Sequence, residues 1–238
     1  MKTILKTGLS VAMLSMLAAC GGGGEAGATG PKQLSVFFDF DKGVEGWSSG
    51  SSDFGVGTEP ANVVFEQRAL SAPLTGKGYF MAGTNRSDDL FLFVKRQFPG
   101  MEKNGVYNVT YTVKFASNVP TGCFGVGGAP GESVYVYAGA TATEPKAVVV
   151  NNETRMNIDK GNQATAGKDA QVLGNIGNGL ACGTNTYVSK TVKSSAPQKV
   201  TADANGAVWV MLGIDSGFEA HSQVTLQSLT IEAVPATM

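Results

Sequence analysis

One ten-residue stretch limits the fold of this chain more than any other feature. From Val106 to Phe115, apolar Tyr, Val and Phe side chains alternate with Asn, Thr and Lys. Because successive side chains of a strand point to opposite faces, this period of two places one face against a core and the other in water. The stretch therefore predicts a long strand of an antiparallel sheet that is buried on one side only.

Nine further stretches are short, rich in β-branched and aromatic residues, and bounded by Gly, Pro, Asn or Asp. No segment shows a sustained helical periodicity. About ten strands in about 200 residues predict an all-β fold, an antiparallel β-sandwich, since one extended sheet of that size would leave edges open or curl. The nine stretches are 34–40, 63–70, 78–82, 89–98, 133–138, 187–193, 199–202, 207–214 and 224–234.

Glycine is concentrated in one part of the chain. Of the 32 glycines, twelve lie between residues 121 and 183, a stretch that also contains Pro130 and Pro145. This composition predicts long Gly-rich loops around one or two strands. Long irregular segments in compact domains are usually functional or mobile, so ligand-binding residues are expected there.

The N-terminal segment has the character of a targeting sequence. Lys2 and Lys6 precede a short apolar run that is too short to span a bilayer and ends in the sequence Leu17-Ala18-Ala19-Cys20. This resembles the signal of bacterial lipoproteins, in which the chain is cleaved before the cysteine and the cysteine is lipidated. The alternative is an ordinary secreted protein with an unmodified cysteine.

The lipoprotein resemblance implies a domain organisation and a location. Residues 1–19 would be the signal peptide, 20–32 a palmitate-bearing flexible tether, and 33–238 a single β-sandwich domain. Gly21, rather than Asp, follows the cysteine, and among Gram-negative lipoproteins this implies anchoring in the outer membrane. The expected membrane contact is therefore the lipid on Cys20, and the domain would be periplasmic or surface-exposed.

Two cysteines remain once Cys20 is assigned to lipid. Cys123 and Cys182 both lie in glycine-rich loops, without the CxxC spacing of a metal or redox site. An extracytoplasmic compartment permits disulfides, and a bridge here would close a loop of about 60 residues. We expect a Cys123–Cys182 disulfide, with two buried thiols as the alternative.

The residues from Phe38 to Trp47, FDFDKGVEGW, resemble the first strand and turn of carbohydrate-binding modules with a galactose-binding-like jelly roll. The resemblance implies a jelly-roll sandwich in which the last strand, near 224–234, returns beside the first. Other segments resemble bacterial envelope lipoproteins of undetermined function. The motif covers about a twentieth of the mature chain and supports the fold more than a ligand, because many functions use this fold.

Candidate ligand-binding residues lie in and beside the glycine-rich region. In 133–138, Tyr135 and Tyr137 share one face, about 6.5–7 Å apart, and would form a stacking platform for sugar rings if the neighbouring valines are in the core. Glu132, Asp159 and Asn162 could hydrogen-bond sugar hydroxyls. The alternatives are that the tyrosines are core residues and that the polar residues only shape loops.

A single structural Ca²⁺ is a further expectation. Asp39, Asp41, Asp215 and Glu219 offer hard oxygen ligands, and a jelly-roll site could be assembled from carboxylates distant in sequence. Asp39 does not begin an EF-hand, since the twelfth position of that loop is Gly50 rather than Glu. The alternative is that these acids cap turns and keep the surface soluble.

Charge and histidine content restrict the function. A net charge of −1 gives no basic face for nucleic acid, and one histidine excludes His-rich metal sites. The sequence therefore predicts a non-catalytic binding module, with carbohydrate as the expected ligand. Two alternatives stay open: a structural or accessory protein that binds other envelope proteins, and a glycan-active enzyme that uses loop carboxylates.

Overall fold

The computed structural model describes residues 32–237. In this range the protein is an antiparallel β-sandwich of the jelly-roll type, as the sequence predicted. The predicted signal peptide and Cys20 lie outside the described residues. No helix within residues 32–237 is long and apolar enough to cross a membrane.

The larger sheet has seven strands. Its order is β14-β7-β17-β5-β4, with β1 beside β17 and β15 beside β7. These strands are β1 (Leu34–Asp39), β4 (Ala61–Ala69), β5 (Lys77–Thr84), β7 (Val106–Ser117), β14 (Val188–Lys193), β15 (Gln198–Thr201) and β17 (His221–Pro235).

The second sheet has five strands in the order β13-β8-β16-β6-β2. These strands are β2 (Ser48–Ser52), β6 (Leu90–Pro99), β8 (Val134–Thr141), β13 (Gln171–Asn175) and β16 (Ala207–Ser216).

Five short strands lie outside the two main sheets. Three of them form a small sheet, and two form a ribbon. The small sheet consists of β3 (Phe54–Gly55), β9 (Ala147–Val150) and β10 (Glu153–Met156), and the ribbon of β11 (Gly161–Asn162) and β12 (Thr165–Ala166).

The core between the sheets follows from the alternating patterns. The apolar side chains of β7, including Tyr111, Val113 and Phe115, are buried against the inner residues of β6, β8 and β16. The last strand does return beside the first, with Leu34 paired with Ala233. Phe38 packs edge-on against Trp47, so the motif that resembles carbohydrate-binding modules closes one corner of the sandwich.

A bulge in β17 creates a notch in the larger sheet. β5 pairs with β17 as far as Leu226, β1 pairs with it from Ser228 onward, and the register shifts at Gln227. β1 and β5 therefore lie end to end along the same side of β17. A gap remains on the outer face of the sheet where one strand ends and the next begins.

The outer face of the five-stranded sheet is not open. Residues 142–170, called here the cover segment, run from β8 to β13 across this face. Met156 and Ile158 of the cover segment pack on Phe91, Tyr137 and Met211 of the sheet and form a second apolar cluster. The two outer faces of the sandwich thus differ, because only one of them carries such a cover.

The predicted disulfide is present. Cys123 and Cys182 are joined across a sequence separation of 59 residues. Next to the bond, the Thr121 N–H donates to the Leu180 carbonyl, and the Asn178 N–H donates to the Val119 carbonyl. The two glycine-rich loops are therefore held against each other at one end of the sandwich.

Candidate functional site

The tyrosine pair predicted as a sugar platform lies on the expected face of β8 but under the cover segment. Val134 and Val136 are in the main core, and Tyr135 and Tyr137 point to the opposite face. Tyr137 has no exposed surface, and its hydroxyl donates to the carbonyls of Gln163 and Thr165. Tyr137 therefore cannot stack on a sugar ring in this structure, and Tyr135 is only partly exposed.

The three polar residues predicted beside this platform have separate positions. Glu132 accepts a hydrogen bond from the Gly122 N–H at 2.7 Å. Asp159 accepts hydrogen bonds from the N–H groups of Gly161 and Lys168, so it shapes a turn within the cover segment. Asn162 is an exposed residue of β11. The alternative interpretation, that such residues shape loops, describes Glu132 and Asp159.

The structure does not bring the four predicted calcium ligands together. Asp39 and Asp41 lie at the end of β1 in the seven-stranded sheet, and Asp215 lies on β16 in the five-stranded sheet. Glu219 is exposed in the turn before β17. Asp39 accepts a hydrogen bond from the Asp41 N–H, which is the turn-capping role weighed as the alternative.

A different set of three carboxylates does converge. Within residues 32–237, Asp53, Asp89 and Asp215 each place an oxygen within 4.8 Å of the others. However, the Lys160 ammonium already lies 2.9 Å from Asp53 Oδ2 and 2.7 Å from Asp215 Oδ2. The residues present do not fit Ca²⁺, because a lysine cation takes the place that a divalent ion would need.

These residues form an ionic cluster, defined here as Asp53, Asp89, Arg155, Lys160 and Asp215. Arg155 Nη1 lies 3.6 Å from Asp53 Oδ1 and 3.5 Å from Asp89 Oδ2. Both basic residues belong to the cover segment, and the acids belong to the sheet or its connections. The ionic cluster therefore fastens the cover segment to the five-stranded sheet.

The surroundings of Asp89 in the ionic cluster favour the protonated form of its carboxyl group. Burial, together with the charges of Asp215 and Asp53, raises the pKa of Asp89 to about 8. Burial also raises the pKa of Asp215, against the opposing effect of Lys160. Burial opposes the charge on Lys160, but Asp215 and Asp53 outweigh it and raise the Lys160 pKa. Asp89 therefore keeps its proton at pH values where an isolated aspartic acid has lost it.

Two residues at the same place have strained backbone conformations. Asp53 and Gln163 both have left-handed backbone conformations, with φ of 69° and 47°. The Gln163 N–H donates to Asp215 Oδ2 at 2.8 Å, and its side-chain amide donates to the Asp88 carbonyl. Strained residues of this kind persist only where surrounding contacts hold them. The contacts here hold the cover segment closed.

An open cleft lies at the end of the sandwich that carries the disulfide. We call it the loop-end cleft; it has a volume of about 350 Å³. None of its lining residues is an Asp, Glu, Lys or Arg. They are Asn118, Val119, Pro120, Pro130, Gly183, Thr184, Asn185, His221 and Gln223.

The amide side chains of the loop-end cleft are connected to one another. Asn118 Nδ2 donates to Asn185 Oδ1 at 2.8 Å, and Gln223 Nε2 donates to Asn118 Oδ1 at 3.3 Å and to the Tyr187 hydroxyl at 2.9 Å. Within residues 32–237, Asn185 Nδ2, Gln223 Oε1 and the Thr184 hydroxyl have no side-chain partner of their own. Uncharged donors and acceptors are therefore held in place and free for a ligand.

The rim of the loop-end cleft is rigid on one side and apolar at its tip. Pro120 and Pro130, which line the cleft, are the two ends of the loop that contains Cys123. Phe124, next to that cysteine, is fully exposed. The disulfide thus fixes the loop that forms one wall of the cleft.

A second cleft occupies the notch beside the β17 bulge. This Phe37 cleft has a volume of about 250 Å³ and combines an aromatic side chain that is 61% exposed with polar residues of both charges. Its lining residues are Phe37, Asp39, Asp41, Leu70, Thr75, Gly76, Lys77, Lys114, Gln227 and Ser228.

Sequence reasoning identified some of these residues and missed others. Asp39 and Asp41 were predicted as metal ligands, whereas they line the Phe37 cleft. Asn118, Asn185 and Gln223 were not singled out, because isolated amides in loops carry no spacing that marks a site. Only the concentration of glycine and the cysteine pair indicated the loops that form one wall of the loop-end cleft.

Comparisons with known proteins find similarity to solved structures. No family model matches the chain, and no curated protein sequence matches it. Among solved structures, it is similar to the mannan-recognising carbohydrate-binding module TmCBM27, with 12% identity, a TM-score of 0.41, and coverage of 87% of this chain and 99% of that one.

Two further structural neighbours are also carbohydrate-binding modules. The xylan-binding module CBM15 has 15% identity and a TM-score of 0.38, with 87% of this chain and 100% of that one covered. A family 11 module of a cellulosomal cellulase from Clostridium thermocellum has 12% identity and a TM-score of 0.33, with 88% and 97% covered.

Proposed function

We propose that this protein is a non-catalytic glycan-binding module that binds an uncharged saccharide in the loop-end cleft. The observation that carries the proposal is the connected set of Asn118, Asn185 and Gln223, which presents uncharged donors and acceptors in a cleft of about 350 Å³. Ligand pockets are typically about 300–1,000 Å³ with a few well-placed polar groups.

The chemistry of the cleft suits a neutral polyhydroxylated ligand. Amide and hydroxyl groups can both donate to and accept from sugar hydroxyls, and no charged lining residue demands a charged partner. Val119 and the two prolines supply apolar walls for C–H groups. Because the amides are already held by one another and by Tyr187, little conformational entropy is lost on binding.

A glycan array of the purified protein tests this function. We expect binding to neutral oligosaccharides, and a marked loss of signal in Asn185→Ala, which lies in an exposed loop position and should leave the fold intact. The matched control is Asn108→Ala, an exposed amide at the opposite end of β7. An array without any bound glycan, with the protein shown to be folded, would overturn the proposal.

The proposal includes attachment to the bacterial envelope through Cys20. Its support is the Leu17-Ala18-Ala19-Cys20 sequence and the glycine-rich stretch that follows. Metabolic labelling with a palmitate analogue should mark the wild-type protein in the membrane fraction, and Cys20→Ser should lose both the label and the membrane association. Membrane association that is unchanged in Cys20→Ser would contradict the anchoring.

One observation favours protein binding as a second candidate function. All residues of β9 are exposed, including Val149 and Val150, and Val56 beside the small sheet is 75% exposed. An edge strand with apolar side chains can pair with another chain. In-cell crosslinking from position 149 would capture an envelope protein if this surface is an interface, and the additional substitution Val150→Lys should abolish the crosslink.

A further inference from the structure

The two clefts lie on the same face of the same sheet. The core-facing residues of β17 include Val224 and Leu226 before the bulge and Leu229 and Ile231 after it. Gln223 and Ser228 point to the opposite face, which is the outer face of the seven-stranded sheet. Ser228 is five positions after Gln223, which at about 3.3 Å per residue is roughly 16 Å along the strand.

A polar side chain of β17 reaches toward β14 from each of the two clefts. Gln223 donates to the Tyr187 hydroxyl, and Gln227 Oε1 accepts a hydrogen bond from the Ser189 hydroxyl at 2.7 Å. Both contacts cross from β17 toward β14, over β7, which lies between them. Gln223 belongs to the loop-end cleft and Gln227 to the Phe37 cleft, and Thr225 between them is buried beside Phe80 and Ala116.

The Phe37 cleft has the features of a sugar subsite. Phe37 presents an exposed ring on which the C–H face of a sugar can pack, and Asp39 and Lys114 lie beside it. A carboxylate and an ammonium group form strong hydrogen bonds to hydroxyls. Two acids and two lysines line the cleft, so their charges balance and a neutral sugar leaves none of them in excess.

Resting on the proposed glycan-binding function, we infer that the ligand is an extended neutral glycan chain that runs along the outer face of β17 from the loop-end cleft to Phe37. The loop-end cleft fixes one part of the chain, and the Phe37 cleft holds a sugar unit further along. A chain that fills both clefts gains the second contact without a second loss of translational freedom. Affinity should therefore depend on chain length.

Calorimetric titration with a ladder of neutral oligosaccharides of increasing length tests the inference. For native protein, we expect affinity to rise once the chain can span both clefts and then level off. Phe37→Ala should weaken binding of the long oligosaccharides by roughly tenfold and leave the short ones unchanged. Phe37→Tyr retains the ring and should behave as native. Since Phe37 is largely exposed, both variants should fold.

The outcomes separate this inference from the proposed function. If no oligosaccharide of any length binds, the glycan-binding function itself fails. If short chains bind and depend on Asn118, but affinity does not increase with length and Phe37→Ala changes nothing, the function stands and the extended-chain inference is overturned. Equal weakening of short and long chains by Phe37→Ala also contradicts it, because short chains would then occupy the Phe37 cleft.

Discussion

At the scale of single residues, Lys160 determines how the cover segment is held on the five-stranded sheet. Its ammonium group is buried between Asp53 and Asp215 and lies 4.7 Å from the centre of the Phe91 ring. A buried charge is tolerated only when it is paired, so the lysine and the two acids depend on each other. Removal of one partner leaves the other charges buried without compensation.

Lys160→Met keeps the length of the side chain and removes its charge. We expect the free energy of unfolding to fall by about 3–5 kcal/mol, because Asp53 and Asp215 lose their shared cation. Urea denaturation measures the change. The control is Lys146→Met, since the ion pair of Lys146 with Glu144 is exposed and such pairs are worth about 0–1 kcal/mol. Equal effects of the two substitutions would contradict the buried role of Lys160.

The raised pKa of Asp89 predicts how stability depends on pH. In the folded protein this carboxyl holds its proton up to about pH 8, whereas in the unfolded chain it titrates near 3.8. The unfolded state therefore releases the proton first as pH rises, so the contribution of Asp89 to stability declines from about pH 4 to about pH 8. Asp215, whose pKa is also raised, acts in the same direction.

Denaturation midpoints measured between pH 5 and 8.5 test this dependence. The native protein should lose stability as pH rises, and Asp89→Asn should show a shallower decline, because an amide does not titrate. Part of the decline of stability with pH should remain in Asp89→Asn, because the pKa of Asp215 is raised as well. Identical slopes in the two proteins would show that Asp89 is ionised throughout this range in the folded state.

The tyrosines of β8 illustrate what a residue pattern can and cannot predict. The alternating pattern of 133–138 correctly placed the two valines on one face of β8 and the two tyrosines on the other. Such a placement follows from strand geometry alone. The pattern could not show that residues 142–170 fold back over the tyrosine face. That burial depends on contacts distant in sequence, such as the hydrogen bond from the Tyr137 hydroxyl to the Gln163 carbonyl.

At the scale of elements, all ten predicted strands are present, and none of the seven further strands has the apolar–polar alternation on which the prediction relied. β2 consists of four serines and one glycine, so it carries no apolar alternation, although it pairs with β6 over five residues. β9 is apolar but exposed, and β11 and β12 have only two residues each. Their pairing partners, rather than their own sequences, determine that they are strands.

The disulfide is the covalent link between the two loops beside the loop-end cleft. Because it closes a loop of 59 residues, its removal in the double variant Cys123→Ser/Cys182→Ser should lower the free energy of unfolding by about 3–4 kcal/mol. Chemical denaturation of the variant and of native protein under non-reducing conditions measures the loss. The variant should also bind glycan more weakly, since the cleft wall is less rigid.

Two results would contradict this account of the disulfide. Unchanged stability in the double variant would mean that the unfolded chain is not restricted by the bond. Unchanged glycan affinity in a variant that remains folded would mean that the backbone hydrogen bonds beside the bond, such as that from Thr121 to Leu180, are sufficient to hold the wall.

At the scale of the whole described domain, the two outer faces have different roles. The cover segment and the ionic cluster close the face of the five-stranded sheet, which the sequence offered as one candidate for a binding platform. The face of the seven-stranded sheet carries the loop-end cleft, the Phe37 cleft and the polar side chains between them. The glycan that we propose would therefore bind on the face of the seven-stranded sheet.

Calorimetric titration of Asn118→Ala is the sharpest test of whether the loop-end cleft binds a neutral glycan. Asn118 connects Asn185 to Gln223, so its loss should disorganise the donors and acceptors of the cleft and weaken binding about tenfold or more. Asn108→Ala should bind as the native protein does. Undiminished affinity of a folded Asn118→Ala variant would place the ligand elsewhere and contradict the account.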